Sequence, residues 1–420
     1  MSHVTELACT VCGRSYRPDP DRYVCDACGP VGTLDVGYDL EAVAAEVSPA
    51  TLAADPDRTI WRYGALLPAS GASVGLAVGG TPLYHVPGLA PDVGDLWIKD
   101  EALEPTASLK DRASAVVAAK AVEFDRPVVT TASTGNAAAA LAGVAAATPG
   151  IEAVIFVPAS APEAKVAQLL VYGATVVLVD GTYDEAYDLC TEVASRRGWY
   201  DRNTGFNPYT TEGKKTVALE IAEQMGWQAP DVVVVSVGDG SIIGGVHKGF
   251  AEARSLGWID RIPRLLGVQS TGSNYLAEAF ERNEDVVTKA PIVAETIADS
   301  IAASLPRDRV KAMRAVRTTR GAFLAVDDTA ILDAIGRVAA ATGVFPEPAA
   351  AAAFAGLDAA VERGIVGRDE RVVVISTGSG LKDVRAAMEA TRRAGIVPLR
   401  VRPDPDEFEA AYGEGSETTR

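Results

Sequence analysis

From residue 96 onward the chain alternates short, unbroken apolar runs with longer segments whose apolar residues recur at helical spacing. The runs at 96–99, 127–132, 153–158, 175–179, 231–237, 265–269 and 371–376 are rich in Val, Ile and Leu. Continuous runs of that kind predict strands buried on both faces. Helical segments follow most of them, for example 135–147, 161–172 and 183–197. This alternation predicts an α/β fold, a parallel sheet covered by helices on both sides. A helix-prone linker at 41–58 precedes it, and a distinct N-terminal unit precedes the linker. The acidic residues after 403 carry Gly, Ser and Thr and are expected to fray.

Composition narrows the partners. The 420 residues allow two to three domains with a large core. A formal net charge of −17 repels phosphate backbones and anionic lipid heads, so neither nucleic acid nor membrane is expected as a partner. No basic segment followed by an apolar run opens the chain, and no run is long enough to cross a bilayer. The alanine-rich run 348–360 reads as a buried helix, and the expected location is cytoplasmic. The histidines His3, His85 and His247 are scattered, which argues against a multi-histidine metal site and leaves few bases for a Ser/His/Asp triad.

Four of the five cysteines, Cys9, Cys12, Cys25 and Cys28, fall in two C-x-x-C knuckles, with Gly13 and Gly29 just after their second thiols. Paired knuckles let four thiolates converge on one tetrahedral ion. The expected unit is a structural zinc ribbon at residues 1–40, with Tyr16 and Tyr23 packing across its hairpin. A ribbon without metal, or four reduced thiols, is the alternative.

In open α/β sheets, ligands bind beyond the carboxyl ends of strands, and four strand ends carry unusual residues. In KDEALEPTASLKDR (99–112), Ser108 can cap a helix that begins near Leu109, which places Lys110 in the first turn. The positive end of the helix dipole disfavours its ammonium there, and a free amine can attack an aldehyde. A surface lysine paired with Asp111 or Asp100 is the competing reading. In TTASTGNA (130–137), Ser133, Thr134 and the following amides form a seat for a carboxylate, and Asn136 offers an amide to a ring oxygen. An ordinary N-cap would look the same. In VGDGSIIGG (237–245), glycines before a helix form a phosphate cradle that does not fit dinucleotide spacing. Asp239 sits comfortably there only if it points away. In ISTGSGLKD (375–383), Thr377 can meet a ring nitrogen, or the turn can be a plain cap. An activated amine, a carboxylate seat, a phosphate cradle and a neutral partner for a pyridine nitrogen are together what pyridoxal phosphate needs with an amino-acid substrate.

Over nearly its whole length the sequence resembles the fold-type II pyridoxal phosphate enzymes, and within them the threonine synthase family. PTASLKDR, STGN, NPYTTEGKKT (207–216), EPA (347–349) and TGSGLKD occur in family order. One branch also opens with a two-knuckle ribbon followed by a segment like Leu34 to Asp39. The resemblance implies two open, mostly parallel sheets flanked by helices, as in tryptophan synthase beta. Residues 41–118 and 213–402 would form the cofactor domain and 119–212 a smaller substrate domain, with a ribbon at 1–40 and a polar tail at 403–420. It implies that Lys110 carries the cofactor as a Schiff base and moves protons, and that Asn136 bonds the ring hydroxyl. Gly238, Asp239, Gly240, Ser241 and Ile242 would surround the cofactor phosphate. Thr377 would meet the pyridine nitrogen, and Ser133 and Thr134 would hold the substrate carboxylate. A homodimer is the expected assembly.

Two departures stand out. Ala107 replaces a usual glycine, and Thr210 replaces an arginine that helps bind the substrate's phosphate in the family. Lys215, Lys214, Arg202 or Arg307 could supply the missing cation, with Lys215 taken as the substrate-binding candidate. The expected reaction converts O-phospho-L-homoserine and water to L-threonine and phosphate. The alternatives are a related lyase or dehydratase on serine, threonine or diaminopropionate, a β-replacement synthase of the cysteate synthase kind, and a non-catalytic ligand sensor.

Overall fold

The computed structural model describes residues 2–415, and its strands form three sheets. The N-terminal sheet is antiparallel, built from β1 (Val4–Cys9), β2 (Ser15–Tyr16), β3 (Val24–Cys25) and β4 (Gly29–Tyr38) in the order β2-β1-β4-β3. The remaining strands are β5 (Leu83–His85), β6 (Asp95–Asp100), β7 (Val128–Ala132), β8 (Glu152–Pro158) and β9 (Thr175–Val179). They continue with β10 (Tyr200–Asp201), β11 (Val232–Ser236), β12 (Arg264–Ser270), β13 (Ala322–Val326) and β14 (Arg371–Ser376). A parallel four-stranded sheet runs β10-β7-β8-β9. A six-stranded sheet runs β13-β12-β11-β14-β6-β5, with β5 alone antiparallel.

All seven expected strands are present. The short edge strands β5 and β10, and β13, were not anticipated from the apolar runs. The large sheet is buried on both faces. Val233, Val235 and Ile375 point into one apolar cluster, while Val232, Val234 and Val374 point into another. The alanine run forms the helix Pro348–Glu362, whose small side chains let it lie close to the second face. In the tail, residues 405–415 form the helix Pro405–Gly415 where fraying was expected. Proline at its start and Asp406 and Glu407 in its first turn favour a helix N-terminus. Residues 416–420 of that expectation lie outside the described residues. Among the described residues, no helix is long and apolar enough to cross a membrane.

The ribbon is fused to the body. Leu7, Cys9, Cys25, Leu34 and Val36 share one apolar core with Val129 and Ile155 of the four-stranded sheet. Tyr23 does not pair with Tyr16 across the hairpin. Its ring stacks on Phe206 with centroids 4.6 Å apart, and its hydroxyl accepts from the Asp201 amide. Tyr16 instead donates to the sulfur of Cys25 at 3.1 Å.

Candidate active site

The chain leaves β6, turns through Glu101–Leu103 and enters the helix Lys110–Glu123. Ser108 does not cap it. The N-cap is Leu109 and makes no side-chain bond, while the buried Ser108 hydroxyl has no partner. The first turn is pinned from the β14 end, where the Thr377 carbonyl accepts from the Leu109 amide at 3.0 Å. Asp111, a possible partner for Lys110, is occupied elsewhere and accepts from the Thr106 amide at 2.6 Å. Among the described residues, Lys110 is left without a salt bridge. Burial pushes its ammonium pKa down, and the nearby Arg202 guanidinium lowers it further against the pull of Asp239 and Glu347.

One cavity is lined by Lys110, Asn136, Gly238, Asp239, Gly240, Ser241, Ile242 and Thr377. Four separate strand ends therefore converge where sequence reasoning placed them. The loop after β11 has no room for a side chain at Gly238 or Gly240. A Cβ at Gly238 would stand 2.8 Å from the Ile301 Cα, and Gly240 (φ +89°) would meet the Asp308 carbonyl at 2.9 Å. The loop then opens the helix Ser241–Ser255, so its free amides face the cavity at a helix N-terminus. Ser236, which also lines the cavity, keeps a buried hydroxyl with no partner. A buried amine of lowered pKa, an anion cradle kept open by two glycines and unspent hydroxyls fit pyridoxal phosphate. Asp239 belongs to the cavity wall, and its charge acts on both Lys110 and Arg307.

Thr134 lines the wider outer cavity, together with Asn136, Lys165, Ser300 and Lys382. Ser133 lines neither cavity, and its hydroxyl accepts from the Gly135 amide at 3.2 Å. Lys215 is a correction. It lines neither cavity, and its ammonium is bound by Glu212 at 2.6 Å and Glu252 at 2.7 Å under the Tyr38 ring. On the helix Tyr209–Gln224, Lys215 lies one turn from Glu212 and so meets it, whereas Lys214 projects to another side. Lys214 donates to the Ser241 hydroxyl at 2.6 Å, directly behind the cradle. Burial, then Lys110 and Arg202, hold its pKa well below the usual lysine range.

Glu347, in the EPA segment, carries a site role that its motif alone does not signal. Glu347 lines both cavities and accepts from the Asn136 amide at 2.7 Å. Burial raises its pKa against that bond and against Lys382 and Lys110. Thr204 and Ser300 also line the inner cavity, and no motif pointed to them.

The four knuckle sulfurs lie within 4.8 Å of one another, and those of Cys12 and Cys25 are 3.7 Å apart. Zinc–sulfur bonds of ~2.3 Å at tetrahedral angles place sulfurs about 3.8 Å apart. Gly32 keeps the strand close, since a Cβ there would meet the Cys28 Cβ at 2.6 Å.

Comparison with known proteins agrees with this geometry. A family model described as pyridoxal-phosphate dependent enzyme matches residues 74–378. A threonine synthase of Methanocaldococcus jannaschii is 38% identical over 403 residues, covering 94% of this chain and 96% of the relative. A threonine synthase of Mycobacterium tuberculosis is 36% identical over 328 residues, covering 78% and 88%. Among solved structures, the processed form of threonine deaminase isoform 2 from Solanum lycopersicum superposes with a TM-score of 0.63 at 24% identity, covering 76% of this chain and 84% of that one. Diaminopropionate ammonia lyase from Escherichia coli gives 0.62 at 19% identity, covering 76% and 88%. These two structures share the fold. The chain belongs to the pyridoxal-phosphate dependent enzyme family and is a threonine synthase-like, carbon–oxygen lyase type of enzyme within it.

Proposed function

We propose that the enzyme converts O-phospho-L-homoserine and water to L-threonine and phosphate. The observation that carries this reading is a buried Lys110 with no ion-pair partner among the described residues, in one cavity with the glycine cradle, in a chain like threonine synthases from the ribbon onward. Pyridoxal phosphate, when bound, supplies an electron sink for the substrate's α-carbon. The amides of Gly238, Asp239, Gly240, Ser241 and Ile242 would receive its phosphate, with Lys214 behind them bonded to the Ser241 hydroxyl. Asn136, oriented by Glu347, would meet the ring hydroxyl, and Thr377 would meet the ring nitrogen as a neutral partner. Thr134 and the amides beside it, with Ser133 bracing the turn, seat the substrate carboxylate. Lys110 Nζ takes the α-proton, loss of a β-proton then lets the γ-phosphate leave, the γ-carbon gains a proton, water adds its hydroxyl at the β-carbon, and Lys110 returns the proton to the α-carbon. The knuckle thiolates of Cys9, Cys12, Cys25 and Cys28 hold one structural zinc, to be read as one equivalent of metal in the native protein and its loss in Cys12→Ser.

The test is phosphate release from phosphohomoserine by the holoenzyme, with L-threonine as co-product. Lys110→Ala should abolish both turnover and the visible absorbance of the lysine-bound cofactor. A dehydratase on serine or threonine is the second reading, favoured by Thr210, whose hydroxyl is already donated to the Asn207 carbonyl at 2.8 Å. Pyruvate or 2-oxobutyrate formed without any phosphate release would establish it. A protein that stays colourless with added cofactor would be a sensor instead.

A further inference from the structure

Lys214 is fully buried on the helix Tyr209–Gln224, and its Nζ makes one bond, to the Ser241 hydroxyl at 2.6 Å. Among the described residues it forms no ion pair. Asp239 and Asp308 act on it through their field alone, against Lys110 and Arg202. Asp308 has a nearer cation in Lys311, 3.6 Å away. A glycine gives Lys214 its reach. A Cβ at Gly245, one turn into the helix Ser241–Ser255, would stand 3.0 Å from the Lys214 Cβ and 3.2 Å from the Thr211 carbonyl oxygen. The two helices thus cross closely enough for Lys214 to end at the first residue of the second one. A lysine held in the interior without an anion is costly. Lys214 itself does not border the inner cavity, but Ser241 does. An ammonium has only donors, so the hydroxyl accepts from it and keeps its own proton for another partner. Among the described residues, no group takes that proton. The helix start has no side-chain cap, so the Ser241 amide is also left over on the cavity wall.

We propose that Lys214 is a positioning residue for the cofactor: it makes the Ser241 hydroxyl a donor aimed at the cofactor's phosphate, and that phosphate balances its charge. This rests on the cradle being the phosphate seat. The bond from Lys214 fixes the hydroxyl's rotor, so the proton is in place before the ligand arrives. A phosphate in the cradle in turn favours the charged lysine, which burial and the neighbouring cations oppose. Pyridoxal, the same ring without the phosphate, gains nothing from this arrangement.

The test titrates full-length apoenzyme with pyridoxal phosphate and with pyridoxal, read by tryptophan fluorescence and visible absorbance. The proteins are wild type, Lys214→Met, Ser241→Ala and the double variant. Lys214→Met should weaken pyridoxal phosphate on the order of 10- to 100-fold, with pyridoxal within about twofold. In the Ser241→Ala background the same change should cost less than about threefold, because the hydroxyl that carries the effect is gone. If Lys214→Met does not fold, Lys214→Gln is measured in its place by the same criterion. Equal weakening of both ligands, as loss of packing alone predicts, overturns the proposal. So does a loss that persists undiminished in Ser241→Ala. A wild type with no preference for the phosphorylated ring sinks the cradle reading itself. A wild-type preference that survives Lys214→Met sinks this proposal and leaves the cradle standing.

Discussion

The crossing of the Lys110 and Tyr209 helices can be tested with a single methyl group. At Gly213, an added Cβ would lie 2.0 Å from the Arg112 carbonyl oxygen and 2.5 Å from its carbon, both backbone atoms of the Lys110 helix. Van der Waals contact needs more than ~3 Å, so Gly213→Ala must push the two helices apart by on the order of 1 Å. Overpacking of this kind costs roughly 1–3 kcal/mol, and backbone overlap belongs at the upper end. Helix propensity returns about 1 kcal/mol, which leaves a net loss of about 2 kcal/mol. Gly336 provides the control. It lies within the helix Asp328–Thr342 with no atom inside 4 Å of an added Cβ, so Gly336→Ala should gain about 0.5–1 kcal/mol. The same chemical change thus has opposite signs at two helical positions. Urea unfolding of both holoenzymes measures the difference. Gly213→Ala should also lower kcat/KM by about tenfold or more, because the crossing sets Lys110 against the cradle that Lys214 backs. A Gly213→Ala enzyme as stable and active as the wild type would refute the argument, and so would a destabilised Gly336→Ala.

Ala107 holds φ +64° three residues before Lys110, bridged by bonds to the Glu104 carbonyl and the Ser379 amide. The left-handed conformation costs a residue with a Cβ about 1–2 kcal/mol, and glycine's extra chain entropy takes back about 0.5–1. Ala107→Gly should therefore stabilise by roughly 0.5–1 kcal/mol, seen as a higher urea midpoint, and a lower midpoint would count against the backbone reading. Burial raises the Asp111 carboxyl from the ordinary 3.8 to about 6, in spite of its bonds from Thr106. The folded state then holds this proton more tightly than the unfolded chain, so its contribution is full below pH 3.8 and is lost as pH rises through about 6. Asp111→Asn should remove that slope, and stability profiles that stay parallel across this window would contradict it.

The apolar runs made the sheets legible because strands buried on both faces cannot tolerate polar residues. β5 and β10 escaped because three and two residues of edge strand leave no run to see. Motif by motif, the site was legible where chemistry sits at a strand end. It was illegible where it depends on pairing across distance. Arg112 bonds Glu220 from 108 positions away and Glu101 from 11 positions away, and Lys99 bonds Glu220 from 121 positions away, all buried. No local pattern distinguishes such residues from a solvated surface. Arg202 was open to the same confusion, being one charged residue beside the two-residue β10 until Ser114 and Thr204 fix its position.

The fate of Lys215 follows from the ribbon. β4 lies along the Tyr209 helix, and Tyr38 donates to Glu212 at 2.7 Å while Lys248 bonds both Glu212 and the Val36 carbonyl. Farther along β4, Lys311 bonds the Leu34 carbonyl at 2.8 Å and the Thr211 hydroxyl. Two lysines and two glutamates, Lys215, Lys248, Glu212 and Glu252, thus form a closed buried cluster under Tyr38. Opening that cluster to release Lys215 toward a substrate would leave Glu212 and Glu252 short of a cation in the interior, a penalty of several kcal/mol. The charge of Lys215 therefore fastens the ribbon to the helix that carries Lys214. The helix is held on one side by the ribbon and on the other by the Lys110 helix at Gly213. Of the two lysines it is therefore Lys214, bonded to Ser241 where the glycine loop enters its helix, that lies toward the cavity.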